Sequence, residues 1–173
     1  IGSHVGADTA ACLLAIALHR EDRVVALMDI GTNTEIVCGN RTKILAASCP
    51  AGPPFQGGAI ACGMPGLDGA IERVRLRDNG RVEFEVMGGG EPDGICGSGL
   101  VDALSEFRRT DLMNCLGRFT NDTHQFVFDS AQNIFLSEAD INELAQAKGA
   151  TVTGLRILVN RYGIEFDDIE VLY

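Results

Sequence analysis

The sequence has no tryptophan, and eight phenylalanines and two tyrosines make up its aromatics. Together with an abundance of glycine, that points to turns and close backbone approaches rather than to an aromatic-rich binding face. Basic residues are scarce: 14 Lys and Arg stand against 24 Asp and Glu, a net charge of −10. Such a surface repels phosphate backbones and anionic lipid, which argues against nucleic acid and membrane as partners. No apolar run approaches the length of a membrane span. No Cys-x-x-Cys pair, no histidine at zinc-finger spacing and no iron–sulfur ligand pattern organises the six cysteines. With no recognisable signal peptide either, the expectation is reduced, buried thiols in a cytoplasmic protein. No Gly-Lys-Ser/Thr triplet follows a glycine loop, so a Walker-type phosphate site is excluded.

What is present is glycine, 21 residues of it, in a chain of 173 residues that is 46% hydrophobic. That is a normal size for one domain with a real core. The patterning predicts a helix over residues 5–19, capped by Asp8 or Thr9, with Leu13, Leu14, Ile16 and Ala17 as its apolar stripe. Strands follow at 23–30, 34–38 and 43–48, joined by turns at Gly31-Thr32-Asn33 and Gly39-Asn40. Residues 49–68 read as loop, and 69–76 and 81–87 flank an Asp78-Asn79-Gly80 hairpin turn. A glycine-rich stretch, a helix over 100–109 and a small hairpin at 125–129 and 133–136 come next. Ser137 opens a long helix, expected to pack on the three-strand meander, with Asp140 as its capping-box partner. Its apolar positions are Ile141, Leu144, Ala147, Val152, Leu155, Leu158 and Val159, and Gly163 ends it. A buried strand is expected over 169–173. The fold class is α/β: a three-strand antiparallel meander in a mixed sheet, packed helices and an inserted hairpin.

The most informative segment is Asp29-Ile30-Gly31-Thr32-Asn33-Thr34. A buried strand delivers Asp29 to its end, and Gly31 permits a sharp turn. Backbone N–H groups of the turn, with the Thr32 and Thr34 hydroxyls, can surround phosphate oxygens. A carboxylate beside phosphate repels it unless a cation intervenes, so Asp29 would act through Mg²⁺ or a metal-bound water. An ordinary hairpin with an exposed aspartate is the other reading of these residues. Gly94-x-x-Gly97-x-Gly99, ahead of a helix, is either an anion site or a packing turn.

Gly6-Ala7-Asp8-Thr9-Ala10-Ala11, followed by a strand and the Asp-Ile-Gly-Thr turn, resembles the connect-1 and phosphate-2 elements of the actin, sugar-kinase and heat-shock-chaperone ATPases, an actin-like, ribonuclease H-like superfamily. Further segments match one branch of it in order. They are Ala51-Gly52-Pro53-Pro54-Phe55-Gln56-Gly57, Gly69-Ala70-Ile71-Glu72, Gly94-Ile95-Cys96-Gly97-Ser98-Gly99-Leu100 and Ala147-Lys148-Gly149-Ala150. That branch is the C-terminal ATPase domain of the reductive activators of corrinoid proteins, and the resemblance covers essentially the whole chain. It implies one domain, 1–173, forming the second lobe of an actin-like ATPase and truncated at both ends. The full-length protein would reduce the Co(II) of a corrinoid protein, or of a corrinoid-dependent methyltransferase, to Co(I). ATP and Mg²⁺ would be its cofactors, and a [2Fe–2S] cluster would sit only in a missing N-terminal domain. The resemblance gives Asp29 the catalytic, metal-holding role and makes Gly31, Thr32, Asn33 and Thr34 the nucleotide contacts. It sets Lys148 near the adenosine. With one lobe present, the chain alone is expected to show no ATP turnover. Gln56 stands where the family has an acidic residue. A non-hydrolysing binding or regulatory module is the alternative function.

Overall fold

The computed structural model describes residues 5–31, 33–50, 54 and 57–173. Thr32, Gln56 and the Ala51-Gly52-Pro53 segment lie outside the described residues. The chain divides into two compact units, one of Ile1–Gly52 with Ala147–Tyr173, the other of Pro53–Gln146.

In the first unit the runs of β-branched and aliphatic residues form β1 (Val25–Ile30), β2 (Asn33–Gly39) and β3 (Ile44–Pro50). They pair antiparallel in sequence order, which is the expected meander. The β2–β3 turn is fixed by Asn40, whose Oδ1 accepts hydrogen bonds from the Thr42 and Lys43 amides. A short β9 (Val171–Leu172) runs parallel to β1, giving a mixed sheet in the order β3-β2-β1-β9. The strand expected to be buried here is an edge: Leu172 and Tyr173 are exposed because no further strand covers them among the described residues.

Alternation splits the sheet's side chains between two helices. Ala26, Ile36, Cys38 and Cys49 pack on Leu155, Leu158 and Val159 of α3 (Glu138–Tyr162). Val25, Leu27 and Val37 pack with Leu18 and with Cys12, Leu13 and Ile16, of which Cys12 and Leu13 belong to α1 (Ala7–Ala15). That helix is shorter than the expected 5–19, because Ala17 turns left-handed at φ 53 and a 3₁₀ turn, Leu18–Arg20, follows. Neither Asp8 nor Thr9 caps it: Gly6 is the N-cap and makes no side-chain bond. Leu14 is 71% exposed, one helical step off the stripe that meets the sheet.

The second unit is larger than an inserted hairpin. Its β4 (Ala70–Leu76) and β5 (Val82–Val86) meet at the Asp78-Asn79-Gly80 turn, where Gly80 takes the expected positive φ of 79. A parallel β6 (Gly94–Ile95) completes the order β5-β4-β6. α2 (Gly97–Arg109) lies on β4 and buries Leu100, Ala103 and Phe107 against Ile71, Val74 and Leu76. The hairpin of β7 (Gln125–Asp129) and β8 (Ile134–Ser137) adds Phe128, Ile134 and Leu136 to the same core. Glu106 locks α2 to β4: it accepts the Leu76 amide at 2.7 Å and pairs with Arg109 at 2.7 Å. The Arg109 hydrogen bonds hold its carboxyl down to about 2.

α3 opens as expected. The Asp140 amide donates to Ser137 Oγ at 3.2 Å and the Ser137 amide to Asp140 Oδ2 at 2.9 Å. Gly163, at φ 90, follows its end. Two expectations need correcting. Val152 is exposed, and its place in the buried stripe belongs to Thr151, one residue earlier, which keeps the helical repeat from Leu144 to Leu155. The long helix was expected to pack on the meander, but only its C-terminal part does. Ile141 and Leu144 belong to the second unit's core.

Candidate functional site

The β1–β2 hairpin positions most of the residues singled out from the sequence. Ile30 pairs with Thr34 and Asp29 with Glu35, so the chain reverses between Ile30 and Thr34. The Gly31 amide donates to the Asn33 carbonyl at 2.9 Å. Asp29 ends the buried part of β1 with its side chain half-buried, and Asn33 is exposed. Thr34 is fully buried, and its Oγ1 has no hydrogen-bond partner. Because directly opposite residues share a face, Thr34 lies on the α3 side of the sheet with Ile36 and Cys38. Asp29 lies on the α1 side with Leu27 and Val37.

Lys148 is exposed on α3. The helix's path places it at the hairpin end of the sheet. Gly154 lies against Cys49 and Ile36, while Tyr162 meets Lys43 at the opposite end, its carbonyl accepting from Lys43 Nζ at 2.8 Å. Lys148 precedes Gly154, on the side away from Tyr162, by about 9 Å of helix. The structure thus brings Asp29, Gly31, Asn33, Thr34 and Lys148 to one end of one unit.

Three further residues of that end escaped the sequence reading. Glu35 stands directly opposite Asp29, and Ser48 is next in the row on β3. Ser48 Oγ donates to Glu35 Oε1 at 3.0 Å. Thr9 of α1 is fully buried, and its hydroxyl, like that of Thr34, is unpaired. The pair could have been found by arithmetic: a hairpin centred on residue 32 sets 29 across from 35. Unpaired buried hydroxyls are uncommon, because each costs about 1–3 kcal/mol.

Elsewhere, the glycine stretch before α2 resolves toward packing. A Cβ at Gly99 would lie 2.2 Å from the Ile71 carbonyl oxygen, and one at Gly94 would lie 2.8 Å from that of Cys62. All six cysteines are free. Cys38, Cys49 and Cys96 are buried as expected, but Cys12 and Cys62 are half-buried and Cys115 is exposed. No helix among the described residues is long and apolar enough to cross a membrane.

A family profile described as the C-terminal domain of RACo, the ASKHA domain, matches residues 23–173. The corrinoid activation enzyme RamQ of Eubacterium limosum is 34% identical, over 98% of this chain and 32% of RamQ. The Co(II) methylated amine-specific corrinoid protein reductase of Methanosarcina barkeri is 26% identical, over 100% of this chain and 35% of the reductase. Among solved structures, one named reductive activator for corrinoid,iron-sulfur protein matches with a TM-score of 0.83 at 32% identity. That match covers 99% of this chain and 30% of the other. The chain spans about a third of the length of the curated relatives it matches.

Proposed function

The chain belongs to the family of RACo C-terminal domains, the ASKHA domains, and on that premise we propose that it is the phosphate-binding lobe of an ATP-dependent reductive activator of a corrinoid protein. The fold is the mixed α/β, actin-like one that the sequence implied. In the longer protein this lobe, the second of the ATPase, binds ATP and couples its hydrolysis to reduction of a corrinoid partner's Co(II) to Co(I). The electron comes from an iron–sulfur domain outside these residues. Six unpaired cysteines suit a reducing cytoplasm.

The observation that carries the reading is the hairpin: a half-buried carboxylate and an unpaired buried hydroxyl flank one tight turn at the end of a rigid sheet. Thr32 and Asn33 offer backbone N–H groups to phosphate oxygens at the turn that Gly31 permits, and Thr34 offers its hydroxyl from beneath. Asp29 holds Mg²⁺, directly or through water. Lys148 faces the nucleoside side. When bound, Mg²⁺ neutralises charge on the β- and γ-phosphates. The donor set fits that ion, which is commonly held by one or two carboxylates plus water and phosphate.

Thr34 supplies the test, because a structural hydroxyl and a ligand-binding one respond oppositely to removal. Thr34→Val in the full-length protein is expected to raise nucleotide-free stability by about 1 kcal/mol, since an unsatisfied group leaves the interior. It is expected to weaken ADP binding about tenfold. Urea unfolding and calorimetric titration with ADP and Mg²⁺ read the two effects. Unchanged ADP affinity would remove Thr34 from the site.

A further inference from the structure

The register of the hairpin sets two carboxylates face to face, and nothing in the role given to Asp29 accounts for the second. Asp29 and Glu35 are direct partners across β1 and β2, on the same face. Like charges in that position repel and destabilise a sheet. Among the described residues no lysine or arginine forms an ion pair with either one. Ser48, beside Glu35 on β3, donates to one of its oxygens and leaves the other open.

A second, independent feature points to the same place. The 3₁₀ turn after α1 leads to Glu21 and Asp22, which bond the β2–β3 turn: the Arg41 amide donates to the Glu21 carbonyl, and Asn40 Nδ2 to that of Asp22. The C-terminal end of α1 therefore lies at the end of the sheet away from the hairpin, and the helix runs antiparallel to β1. Its Cys12 and Leu13, with Ile16 and Leu18 beyond them, cover the rows of Val25, Leu27 and Val37. Thr9 is one helical turn nearer the hairpin on that same helix face. Within α1, from Leu13 back to Thr9 is about 6 Å at the helical rise, and from Leu27 forward to Asp29 is about 7 Å at the strand rise. The fully buried, unpaired Thr9 hydroxyl thus comes over the row of Asp29, Glu35 and Ser48.

We propose that Glu35 completes the divalent-cation site begun by Asp29: the two carboxylates hold one cation on the α1 face of the sheet, and the Thr9 hydroxyl bonds its water shell. This rests on the reading of Asp29 as the cation residue of the phosphate hairpin. A cation between the carboxylates converts their repulsion into attraction and gives the orphaned hydroxyl a partner. Among the described residues no third carboxylate, histidine or cysteine joins them. Such a site keeps its cation mainly through water and phosphate rather than through a protein cage, as is usual for Mg²⁺. Ser48 is a positioning residue, acting through Glu35.

The test uses the full-length protein without nucleotide and Mn²⁺ as the probe, with free Mn²⁺ read by electron paramagnetic resonance. Asp29→Asn and Glu35→Gln are each expected to weaken one Mn²⁺ site at least tenfold, Thr9→Val about threefold, and Glu35→Asp less than Glu35→Gln. Thermal melting gives an independent readout. Glu35→Gln is expected to raise the metal-free midpoint, because the repulsion is gone, and to abolish the upward shift that Mn²⁺ gives the wild type. Wild-type Mn²⁺ affinity in Glu35→Gln, with loss in Asp29→Asn, overturns the role of Glu35 alone. Wild-type affinity in both variants overturns the cation role of Asp29 as well.

Discussion

Replacing Asp29 by asparagine in the full-length protein is expected to slow ATP-dependent corrinoid reduction by about 100- to 1,000-fold without unfolding it. The substitution keeps the shape of the side chain and removes its charge. Asp29 sits half-buried at the end of β1, outside the apolar clusters, and faces a second carboxylate. Loss of its charge therefore relieves repulsion in the metal-free protein and should not harm the fold. In the transition state the same charge positions the cation that neutralises the phosphates. Removing one preorganised electrostatic group of that kind costs about 3–4 kcal/mol in other enzymes. The reduction rate with ATP in excess is the readout, and circular dichroism checks the fold. A folded Asp29→Asn variant that reduces its corrinoid partner at the wild-type rate would mean that the hairpin is structural.

The second large effect concerns stability. Gly99→Ala is expected to destabilise the protein by about 3 kcal/mol, at the upper end of what overpacking costs. The added Cβ would meet the Ile71 carbonyl oxygen at 2.2 Å, and that oxygen belongs to the backbone of a buried strand. It cannot swing aside as a side chain would, so α2 must lift from β4 and open the contacts of Leu100 and Ala103. Gly149→Ala is the control. Its Cβ would meet nothing within 4 Å on the exposed side of α3. Ala there is expected to stabilise by about 0.5–1 kcal/mol through helix propensity. Urea midpoints measure both. A Gly99→Ala variant as stable as wild type would return the glycine stretch to the anion-site reading.

What could be read from the sequence depended on whether the signal was local. The meander was legible because three β-branched runs are separated by turns too short for anything but antiparallel pairing. The start of α3 was legible because Ser137 and Asp140 carry their capping partners within four residues. The end of α1 was not. Residues 15–17 are Ala-Ile-Ala, compatible with helix, and the left-handed turn at Ala17 is imposed by packing Leu18 under the sheet. The double duty of α3 was hidden for a similar reason: one uninterrupted apolar stripe serves two cores, and periodicity does not say which. Within the site, Asp29 and the turn stood out through their motif. Glu35 carries no motif of its own, and only the register sets it opposite Asp29. Thr9 looked like a helix cap, although it is a buried hydroxyl in an apolar face.

The most direct test of the claim that this hairpin binds nucleotide phosphate is amide hydrogen exchange of the full-length protein, read by mass spectrometry with and without ADP and Mg²⁺. Bound phosphate would engage the N–H groups of the turn, and a nucleoside beside Lys148 would cover the neighbouring stretch of α3. The account expects slowed exchange in peptides spanning residues 29–34 and 145–150, with Asp29→Asn losing that protection. Nucleotide binding that leaves both peptides exchanging at the free-protein rate would contradict it.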